Sequence, residues 1–352
     1  MDAKVNARNA IAFAGNDYLG LARDPRLAEA MARAARDYGI SPASSRFFLG
    51  WSELHKELER DIAEFFGAEE ACLLPSAYLG GLTFFWSLAS EYRLAFCDEH
   101  AHLNLVQGMR AAGCEIRTFR HLDAGDLRRQ LRCHKGPRPA VVTDGVFGIS
   151  GEPAPVRELA DAAREARALL LVDDAHGVFC MGRSGRGMCE CAGLGPDECV
   201  ILGSMSKALG CHGGFFAGPS AVIRQLQRGT VGATPSPMPV VAACAEALRI
   251  VREEPERRAG MARNRDRMLG VMERFGVAVA SAQTPILAML LRDQTEAQDL
   301  ARHFESRRLI IRYAQYPSEP RTNLLRSVAR SVYTDDDLAR FQSAVESWAM
   351  GR

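Results

Sequence analysis

Residues 169–177 read LLLVDDAHG, and this stretch decides the fold class of the chain. Four consecutive large aliphatic residues are typical of a strand buried on both faces, as in a parallel sheet that is covered by helices. The strand runs directly into Asp173, Asp174 and His176. Because ligands of open α/β sheets bind outside the carboxyl ends of the strands, these polar side chains mark the edge where a site is expected.

The segments around this stretch alternate between strand and helix patterns. Residues 156–166, for example, are apolar at helical spacing with Arg and Glu between the apolar positions. The alternation predicts an α/β architecture, a mostly parallel sheet with helices on both faces. Its strands are predicted at residues 71–74, 94–97, 115–119, 140–143, 168–172, 200–202 and 214–217.

The pattern changes after a proline-rich turn at residues 234–239. From there we expect a long helix over 240–275, a strand at 286–291, a helix at 296–307, a strand near residue 310 and a closing helix from Asp335. This mixture indicates a smaller α+β domain. The sequence therefore predicts an N-terminal arm over 1–37, a large domain over 38–235 and a small C-terminal domain over 236–352.

The composition is that of an ordinary globular protein, with 47% hydrophobic and 25% charged residues and a net charge of +1. Basic and acidic side chains are interspersed, which argues against a face for nucleic acid or an anionic membrane surface. The longest apolar runs have the length of a strand, so we expect no bilayer-spanning segment. Residues 1–10 are polar and do not resemble a signal peptide.

The ten cysteines include no C-x-x-C pair. Cys189 and Cys191 form an isolated C-x-C, and most of the others stand in apolar segments, where cysteine behaves as a small hydrophobic residue. Because metal-ligand spacing is missing, we expect no zinc site. Because no secretory signal is visible, we expect reduced thiols and a cytoplasmic protein.

Lys207 is the candidate nucleophile. Only four of the 44 basic residues are lysines, and Lys4, Lys56 and Lys135 stand in polar surroundings that are typical of solvated side chains. Lys207 instead follows a predicted strand in GSMSKALG, residues 203–210, among small and apolar neighbours. Partial desolvation there would favour the neutral amine, which attacks carbonyl carbons. A surface lysine on a Gly/Ser turn is the alternative.

Asp173 and His176 indicate what kind of ligand faces this lysine. A carboxylate at the end of a buried strand needs a cationic partner. A protonated pyridine nitrogen is such a partner, and the pairing keeps the ring an electron sink. His176 could reach a hydroxyl on the same ring. An Asp that caps a helix after a strand is the alternative, but it explains one carboxylate and not the set.

Two short segments carry groups that suit a phosphate. Residues 75–81 read PSAYLGG, and small residues at a strand-to-helix turn leave backbone N–H groups available for an anion. Ser204 and Ser206 place hydroxyl donors beside Lys207. Lysine, aspartate and phosphate-binding groups therefore gather at the ends of neighbouring predicted strands.

These stretches together resemble the α-oxoamine synthase family of pyridoxal-phosphate (PLP) enzymes, which have the aminotransferase-like fold of type I. The most specific matches are VDDAHG at residues 172–177 and SMSKALG at residues 204–210. The resemblance extends from NDYLGL at 16–21 to YTDDDL at 333–338, which is nearly the whole chain. It implies pyridoxal 5'-phosphate as the cofactor, bound by the large domain.

The resemblance implies roles for the residues around the ring. Lys207 would hold PLP as a Schiff base and later move the proton on the α-carbon of the substrate. Asp173 would pair with the pyridine nitrogen, and His176 would bond the phenolic oxygen. His102, in DEHAHLN at 98–104, matches the family pattern D-x-x-x-H-A-S and would stack on the outer ring face. A surface histidine at a helix start is the alternative for His102.

Other positions would bind the phosphate and the amino acid. Arg326, in LLR at 324–326, matches the family's L-x-R and would grip the substrate carboxylate, unless it is an ordinary surface arginine. Thr234 would reach the phosphate of a neighbouring subunit, so the resemblance implies a homodimer with active sites at the subunit interface. The phosphate and the ring edge would be held by Ser76, Ala77, Tyr78 and Ser204.

The departures from the family pattern lie near the second substrate. Residues 41–46 read SPASSR where the family has G-S-G-G-S-R, so this loop lacks the conformational freedom of glycine. Asp144 stands in place of a glutamate and Gly148 in place of a serine. We expect Asp144 and Ser45 to contact the substrates.

The predicted reaction is a decarboxylative condensation of an amino acid with an acyl thioester, delivered by coenzyme A or a carrier protein, to give an α-amino ketone. The runner-up is another PLP reaction on an amino acid, namely decarboxylation, transamination, racemisation or β/γ-substitution. A non-catalytic partner subunit of the same fold is a third possibility, and the presence of Lys207 with Asp173 and His176 argues against it. The sequence names neither the amino acid nor the acyl group.

Overall fold

The computed structural model describes residues 10–195, 197–230, 232–311, 313 and 315–351. Residues 1–9 of the predicted arm, with Lys4, lie outside this part of the chain. The elements in chain order are β1 (Ile11–Ala12), α1 (Pro25–Tyr38), α2 (Glu53–Phe66), β2 (Glu70–Leu74), a 3-10 helix (Ala77–Leu79), α3 (Gly80–Ser87), β3 (Leu94–Asp98), α4 (Leu103–Ala111), β4 (Glu115–Phe119), α5 (Ala124–Cys133), β5 (Ala140–Asp144), α6 (Val156–Glu165), β6 (Leu169–Asp173), α7 (Met188–Cys191), β7 (Val200–Ser204), β8 (Gly214–Gly218), α8 (Ser220–Gly229), α9 (Met238–Glu253), α10 (Glu256–Arg274), β9 (Ile286–Leu290), α11 (Gln294–Ser306), β10 (Leu309–Ile310), β11 (Leu324–Val328) and α12 (Asp335–Met350).

A seven-stranded sheet has the order β2-β8-β7-β6-β5-β3-β4. Strands β4, β3, β5, β6 and β7 run parallel to one another, whereas β8 is antiparallel to both β7 and β2. The predicted mostly parallel sheet is therefore confirmed. Each of the seven predicted strands is present, with ends within two residues of the prediction.

Helices cover both faces of this sheet. Phe215 and Phe216 are consecutive in β8, so their side chains point to opposite faces. The ring centroid of Phe215 lies 5.2 Å from that of Phe66 in α2, and the centroid of Phe216 lies 6.1 Å from that of Phe84 in α3. All residues of β3, β5, β6 and β7 are buried as a result, which explains the aliphatic run that opens β6.

The chain divides into two compact units. The large unit comprises Leu21–Phe147 and Ala154–Pro255, and the small unit comprises Gly148–Pro153, Glu256–Arg352 and the residues up to Gly20. In the small unit, β9 and β11 pair antiparallel and β1 and β10 pair parallel. Helices α10, α11 and α12 pack on these strands around a core that includes Phe13, Phe304 and Phe341. The small unit is thus an α+β structure. The segments 1–37, 38–235 and 236–352 stay a prediction of domain organisation.

The predicted long helix over 240–275 is wrong, because the chain forms two helices there. Helix α9 ends at Glu253 and α10 begins at Glu256, with Pro255 between them. Proline lacks the N–H that an α-helix needs and disfavours helical geometry at the preceding residue, where Glu254 has φ −117° and ψ 63°. None of the helices within the described residues is long and apolar enough to cross a membrane.

Candidate active site

Four neighbouring parallel strands of the large unit end on polar residues. The last residues of β3, β5, β6 and β7 are Asp98, Asp144, Asp173 and Ser204. Because these strands are parallel, their last residues line the same edge of the sheet. The register places Asp144 directly beside Asp173, so two carboxylates are neighbours across adjacent strands.

Asp173 is held by two donors. Its Oδ1 accepts a hydrogen bond from the backbone N–H of Ala175 at 3.2 Å, and its Oδ2 accepts one from the side-chain amide of Asn104 at 3.3 Å. The side chain is nearly fully buried, with 5% of its residue surface exposed. Two donors fix the carboxylate in one orientation at the carboxyl end of β6.

Asp144 is buried beside Asp173 at the end of the neighbouring strand. Burial raises the pKa of Asp144 well above its ordinary value, and the negative charge of Asp173 raises it further. The backbone N–H of His102 donates to Asp144 Oδ2 at 2.8 Å, which opposes this rise. The raised pKa favours the neutral form of Asp144, which lessens the repulsion between the two neighbouring carboxyl groups.

Lys207 stands on the turn that follows β7 and is half-buried. Its carbonyl oxygen accepts a hydrogen bond from the N–H of Gly210 at 2.9 Å, which closes the turn. Because β7 pairs in parallel with β6, this turn lies at the same edge of the sheet as Asp173.

His102 begins helix α4 as its N-cap residue and is half-buried. Its backbone is tied to Asp144, and its ring lies edge-on to the ring of Tyr78, with 6.3 Å between the centroids. The hydroxyl of Tyr78 donates to Gln107 Oε1 at 2.7 Å. The turn that carries Tyr78 and the start of α4 are therefore neighbours above the same sheet edge.

The turn after β2 carries small residues that pack closely against the start of β8. Ser76 Oγ accepts the N–H of Tyr78 at 3.3 Å at the start of the 3-10 helix. A Cβ added to Gly214 would lie 2.5 Å from the Cα of Ala77, so the first residue of β8 must be glycine for this close approach. Ser204 Oγ lies 2.9 Å from Ser206 Oγ near the other side of this turn.

These groups fit pyridoxal 5'-phosphate. The hydroxyls of Ser76, Ser204 and Ser206 suit a phosphate, and a carboxylate fixed at a strand end suits a protonated pyridine nitrogen. A lysine on the turn after β7 suits an aldehyde carbon, because an amine forms a Schiff base with an aldehyde. His176, 9% exposed, lies on the turn after β6, close in sequence to Asp173.

Two other predicted residues stand on a separate pair of loops in the large unit. Ser45 is half-buried, and its carbonyl accepts the N–H groups of Phe48 at 3.1 Å and Gly50 at 3.0 Å. Thr234 is exposed in the segment before α9. The N–H of Arg46 donates to the carbonyl of Ala233 at 3.2 Å, so the loops of Ser45 and Thr234 are joined.

Arg326 lies on β11 of the small unit, where its guanidinium makes three hydrogen bonds. Nε donates to the carbonyl of Gly148 at 2.6 Å, Nη1 to the carbonyl of Gly15 at 3.2 Å and Nη2 to Asn16 Oδ1 at 2.7 Å. Burial lowers the pKa of Arg326 from its ordinary value. The residue is half-buried and these hydrogen bonds hold the guanidinium in one orientation, which argues against an ordinary solvated surface arginine.

Asn104 is the residue of this site that the sequence reading missed. Its Nδ2 faces Asp173 and the carbonyl of Ala77, and its Oδ1 lies 2.8 Å from His102 Nδ1. The sequence does contain one indication of its role, because Asn104 stands where the family pattern D-x-x-x-H-A-S has serine.

Comparison with known proteins agrees with this geometry. The aminotransferase class I and II family matches residues 8–345. The 8-amino-7-oxononanoate synthase of Chromohalobacter salexigens is 36% identical over 334 residues, 93% of this chain and 86% of the relative. That of Methylococcus capsulatus is 36% identical over 310 residues, 87% of this chain and 80% of the relative.

Solved structures of similar fold support the same family. The Sphingomonas wittichii serine palmitoyltransferase superposes with a TM-score of 0.90 at 27% identity, over 97% of this chain and 88% of its own. A serine palmitoyltransferase solved with PLP has a TM-score of 0.90 at 26% identity, over 96% of this chain and 88% of its own. Matching relatives along almost its whole length, and carrying a lysine and an aspartate at the ends of adjacent strands, the chain belongs to the α-oxoamine synthase family of PLP-dependent enzymes with the class I and II aminotransferase fold.

Proposed function

We propose that the sheet edge around Asp173 and Lys207 carries out the decarboxylative condensation of an amino acid with an acyl thioester. The α-carbon of the amino acid forms a bond to the acyl carbon, the carboxylate leaves as CO₂, and the thiol is released. The product is an α-amino ketone. The observation that carries the assignment is the strand register that sets Asp144 beside Asp173 at the sheet edge where the turn of Lys207 begins, on a chain of this acyltransferase family.

PLP, when bound, withdraws electrons from the bonds at the α-carbon of the amino acid. With PLP bound, Asp173 would pair with the ring nitrogen, and two donors already fix its carboxylate. Lys207 would hold the aldehyde carbon and move the proton at the α-carbon of the substrate. His102 would stack on the face of the ring. His176 would donate to the phenolic oxygen.

Further residues position the charged ends of cofactor and substrate. We assign the phosphate and ring edge to Ser76, Ala77, Tyr78 and Ser204. Arg326 offers a fixed guanidinium to the carboxylate of the amino acid, because its hydrogen bonds orient the plane of the group. We assign Ser45 and Asp144 to the binding of the substrates. Asp144 also accepts the backbone N–H of His102.

The test is a comparison of products with and without an acyl thioester. Purified enzyme loaded with PLP is incubated with single amino acids, in the presence or absence of acyl-coenzyme A esters of different chain lengths. We expect CO₂ and free thiol in equal amounts, and only when both substrates are present. CO₂ released without a thioester would instead support the runner-up, a PLP decarboxylation without condensation.

Lys207→Ala and Lys56→Ala are matched variants for the same assay. Lys56 is an exposed lysine of α2 that contacts Glu53. We expect Lys207→Ala to lose turnover by roughly 10³-fold or more and to lose the visible absorbance of bound PLP. Lys56→Ala should keep both. An unchanged Lys207→Ala enzyme would remove the site assignment.

We further propose that the enzyme is a homodimer in which Thr234 reaches the phosphate site of the neighbouring subunit. Exposed Thr234 lies on a loop that is joined to the exposed apolar segment Phe47, Phe48 and Leu49, which are 69%, 75% and 89% exposed. Three consecutive exposed hydrophobic residues favour a covering partner. Light scattering after gel filtration tests this, and a fully active monomer would contradict it.

We place the enzyme in the cytoplasm. The ten cysteines are all free, including Cys189 and Cys199, whose sulfur atoms lie 3.3 Å apart in a hydrogen bond and not in a disulfide. A reducing compartment keeps such thiols free. Fractionation of cells that express the natural gene would test the location.

A further inference from the structure

The amide of Asn104 has one orientation that satisfies its neighbours. Its Nδ2 lies 3.3 Å from Asp173 Oδ2 and 3.4 Å from the carbonyl oxygen of Ala77. Both neighbours are hydrogen-bond acceptors, so the NH₂ group must face them, since a flipped amide would set its oxygen against two oxygens. The amide oxygen therefore faces His102 Nδ1 at 2.8 Å.

This orientation decides the tautomer of His102. An amide oxygen only accepts, so Nδ1 of His102 must carry a proton and donate it to Asn104 Oδ1. The backbone N–H of Asn104 also lies 3.3 Å from Nδ1, but this longer contact would need an unprotonated Nδ1. The shorter contact, at 2.8 Å, is the one compatible with the amide orientation. In the neutral ring, Nε2 is then the acceptor.

Asn104 thereby links two residues that are far apart in the sequence, His102 and Asp173. The side chain is 4% exposed, so water does not compete for these contacts. Asp144 fixes the backbone of His102 from the other side, at 2.8 Å. A serine at position 104, as in the family pattern, has a shorter side chain with one oxygen, whereas the amide of Asn104 reaches Asp173 and His102 with two separate atoms.

We propose that Asn104 is a positioning residue that sets the Nδ1–H tautomer of His102 and holds Asp173 Oδ2 toward the ring nitrogen of PLP. The proposal rests on the proposed function for the roles of His102 and Asp173. Asn104 would then couple the orientation of His102 to the orientation of Asp173.

The first measurement is made without cofactor. Enzyme with ¹⁵N-labelled histidine, freed of PLP, gives separate nitrogen signals for Nδ1 and Nε2 of His102. We expect the wild type to show the Nδ1–H form and Asn104→Ala to move toward the Nε2–H form, which the histidine side chain favours in water. Arg110→Ala, an exposed change near the end of α4, is the control and should resemble the wild type.

The second measurement is the affinity for PLP, followed by titration of the apoenzyme. We expect Asn104→Ala to bind PLP about tenfold more weakly, because the loss of one hydrogen bond to a charged group leaves Asp173 less well oriented. Asn104→Asp is the isosteric variant. It keeps the acceptor for His102 and so keeps the tautomer, but it sets a second carboxyl group against Asp173 and should weaken PLP binding further.

If the alanine variant does not fold, Asn104→Ser keeps a polar group at this position. We expect the tautomer of His102 and the PLP affinity of Asn104→Ser to lie between those of the wild type and Asn104→Ala. An Asn104→Ala or Asn104→Ser enzyme with the wild-type tautomer and a PLP affinity within twofold of Arg110→Ala would overturn the proposal. A tautomer change in an enzyme that releases CO₂ without a thioester would sustain the role of Asn104 while removing the proposed reaction, so the two failures are distinguishable.

Discussion

Asp173 and Asp174 are consecutive residues with the same side chain, yet their carboxyl groups lie in two different surroundings. Asp173 ends β6 at the sheet edge, where Ala175 and Asn104 donate to its two oxygens. Asp174 continues the ladder, donating its N–H to the carbonyl of Leu202 at 2.9 Å, and its side chain turns to the opposite side. Two adjacent residues at a strand end can therefore have different roles.

Three glycines lie against the side chain of Asp174. A Cβ added to Gly145, Gly177 or Gly187 would lie 2.3, 2.1 or 1.9 Å from a carboxyl oxygen of Asp174. Its Oδ2 accepts the N–H of Met188 at 2.6 Å, while Oδ1 has no hydrogen-bond partner among the described residues. Burial raises the pKa of Asp174 to about 8. Asp174 is thus a packed, largely protonated group, whereas Asp173 faces the site.

The sharpest test of this contrast is to replace each carboxyl group by an amide. Asp173→Asn removes the charge that pairs with the ring nitrogen, and we expect turnover to fall by roughly 10²- to 10³-fold. Asp174→Asn keeps the shape of a group that is already neutral for most of the time, and we expect a loss of less than about tenfold. Steady-state kinetics with saturating PLP measure both. Equal losses would break the comparison.

The glycines around Asp174 give a second, smaller effect. Gly187 has a φ of +82°, and an alanine there would strain the backbone and press on the carboxyl group. We expect Gly187→Ala to lower the free energy of unfolding by about 3 kcal/mol. Gly193 is the control, with a φ of +64° and nothing within 4 Å of an added Cβ, so Gly193→Ala should cost only about 1 kcal/mol.

Urea unfolding measures these values, and the double variant Gly187→Ala with Asp174→Ala identifies the clash. Removing the carboxyl group should recover part of the stability lost in Gly187→Ala. If the double variant is no more stable than expected from adding the two single losses, the crowding does not involve Asp174.

Another consequence of the buried carboxyl group is a dependence of stability on pH. The raised pKa of Asp174 means that the folded protein keeps a proton that the unfolded chain has lost between about pH 4 and pH 8. This stabilisation is complete below that window and is lost as the pH rises toward 8, by about 1.4 kcal/mol per pH unit. Asp174→Asn cannot ionise and should lack this slope.

Unfolding at pH 6, 7 and 8 tests the slope as a difference between the two proteins. Other titrating groups, such as Asp144, contribute equally to both and cancel in the difference. We expect the stability of Asp174→Asn relative to the wild type to increase with pH. Parallel curves would mean that the Asp174 carboxyl group loses its proton as easily in the folded protein as in the unfolded chain.

Much of the fold could be predicted because its signals are local. The run of aliphatic residues in β6, the alternation around it and the glycine-serine turn before Lys207 identify the strands and the edge that carries the site. The error at Pro255 was also local, since proline interrupts a helix whatever surrounds it. The family resemblance added roles that the residues alone left open, and those for His102, Asp173 and Lys207 involve side chains that lie at one sheet edge.

The remaining features of the site depend on contacts between distant segments. Asn104 and Asp173 are 69 residues apart, and Asp144 meets Asp173 through the register of β5 and β6. Neither contact has a local pattern, because the pairing of strands is decided by the packing of the whole sheet. The three hydrogen bonds of Arg326 likewise join segments that the sequence separates widely.

The sequence by itself determined the strands, their polar ends and the single lysine placed among them, since burial and backbone preference act over a few residues. Which of two adjacent aspartates faces the cofactor side, which carboxyl group holds a proton and which nitrogen of His102 carries one were decided only by the tertiary structure. The physical reason is that desolvation and hydrogen bonding depend on every group within a few ångströms, and the chain brings those groups from distant positions.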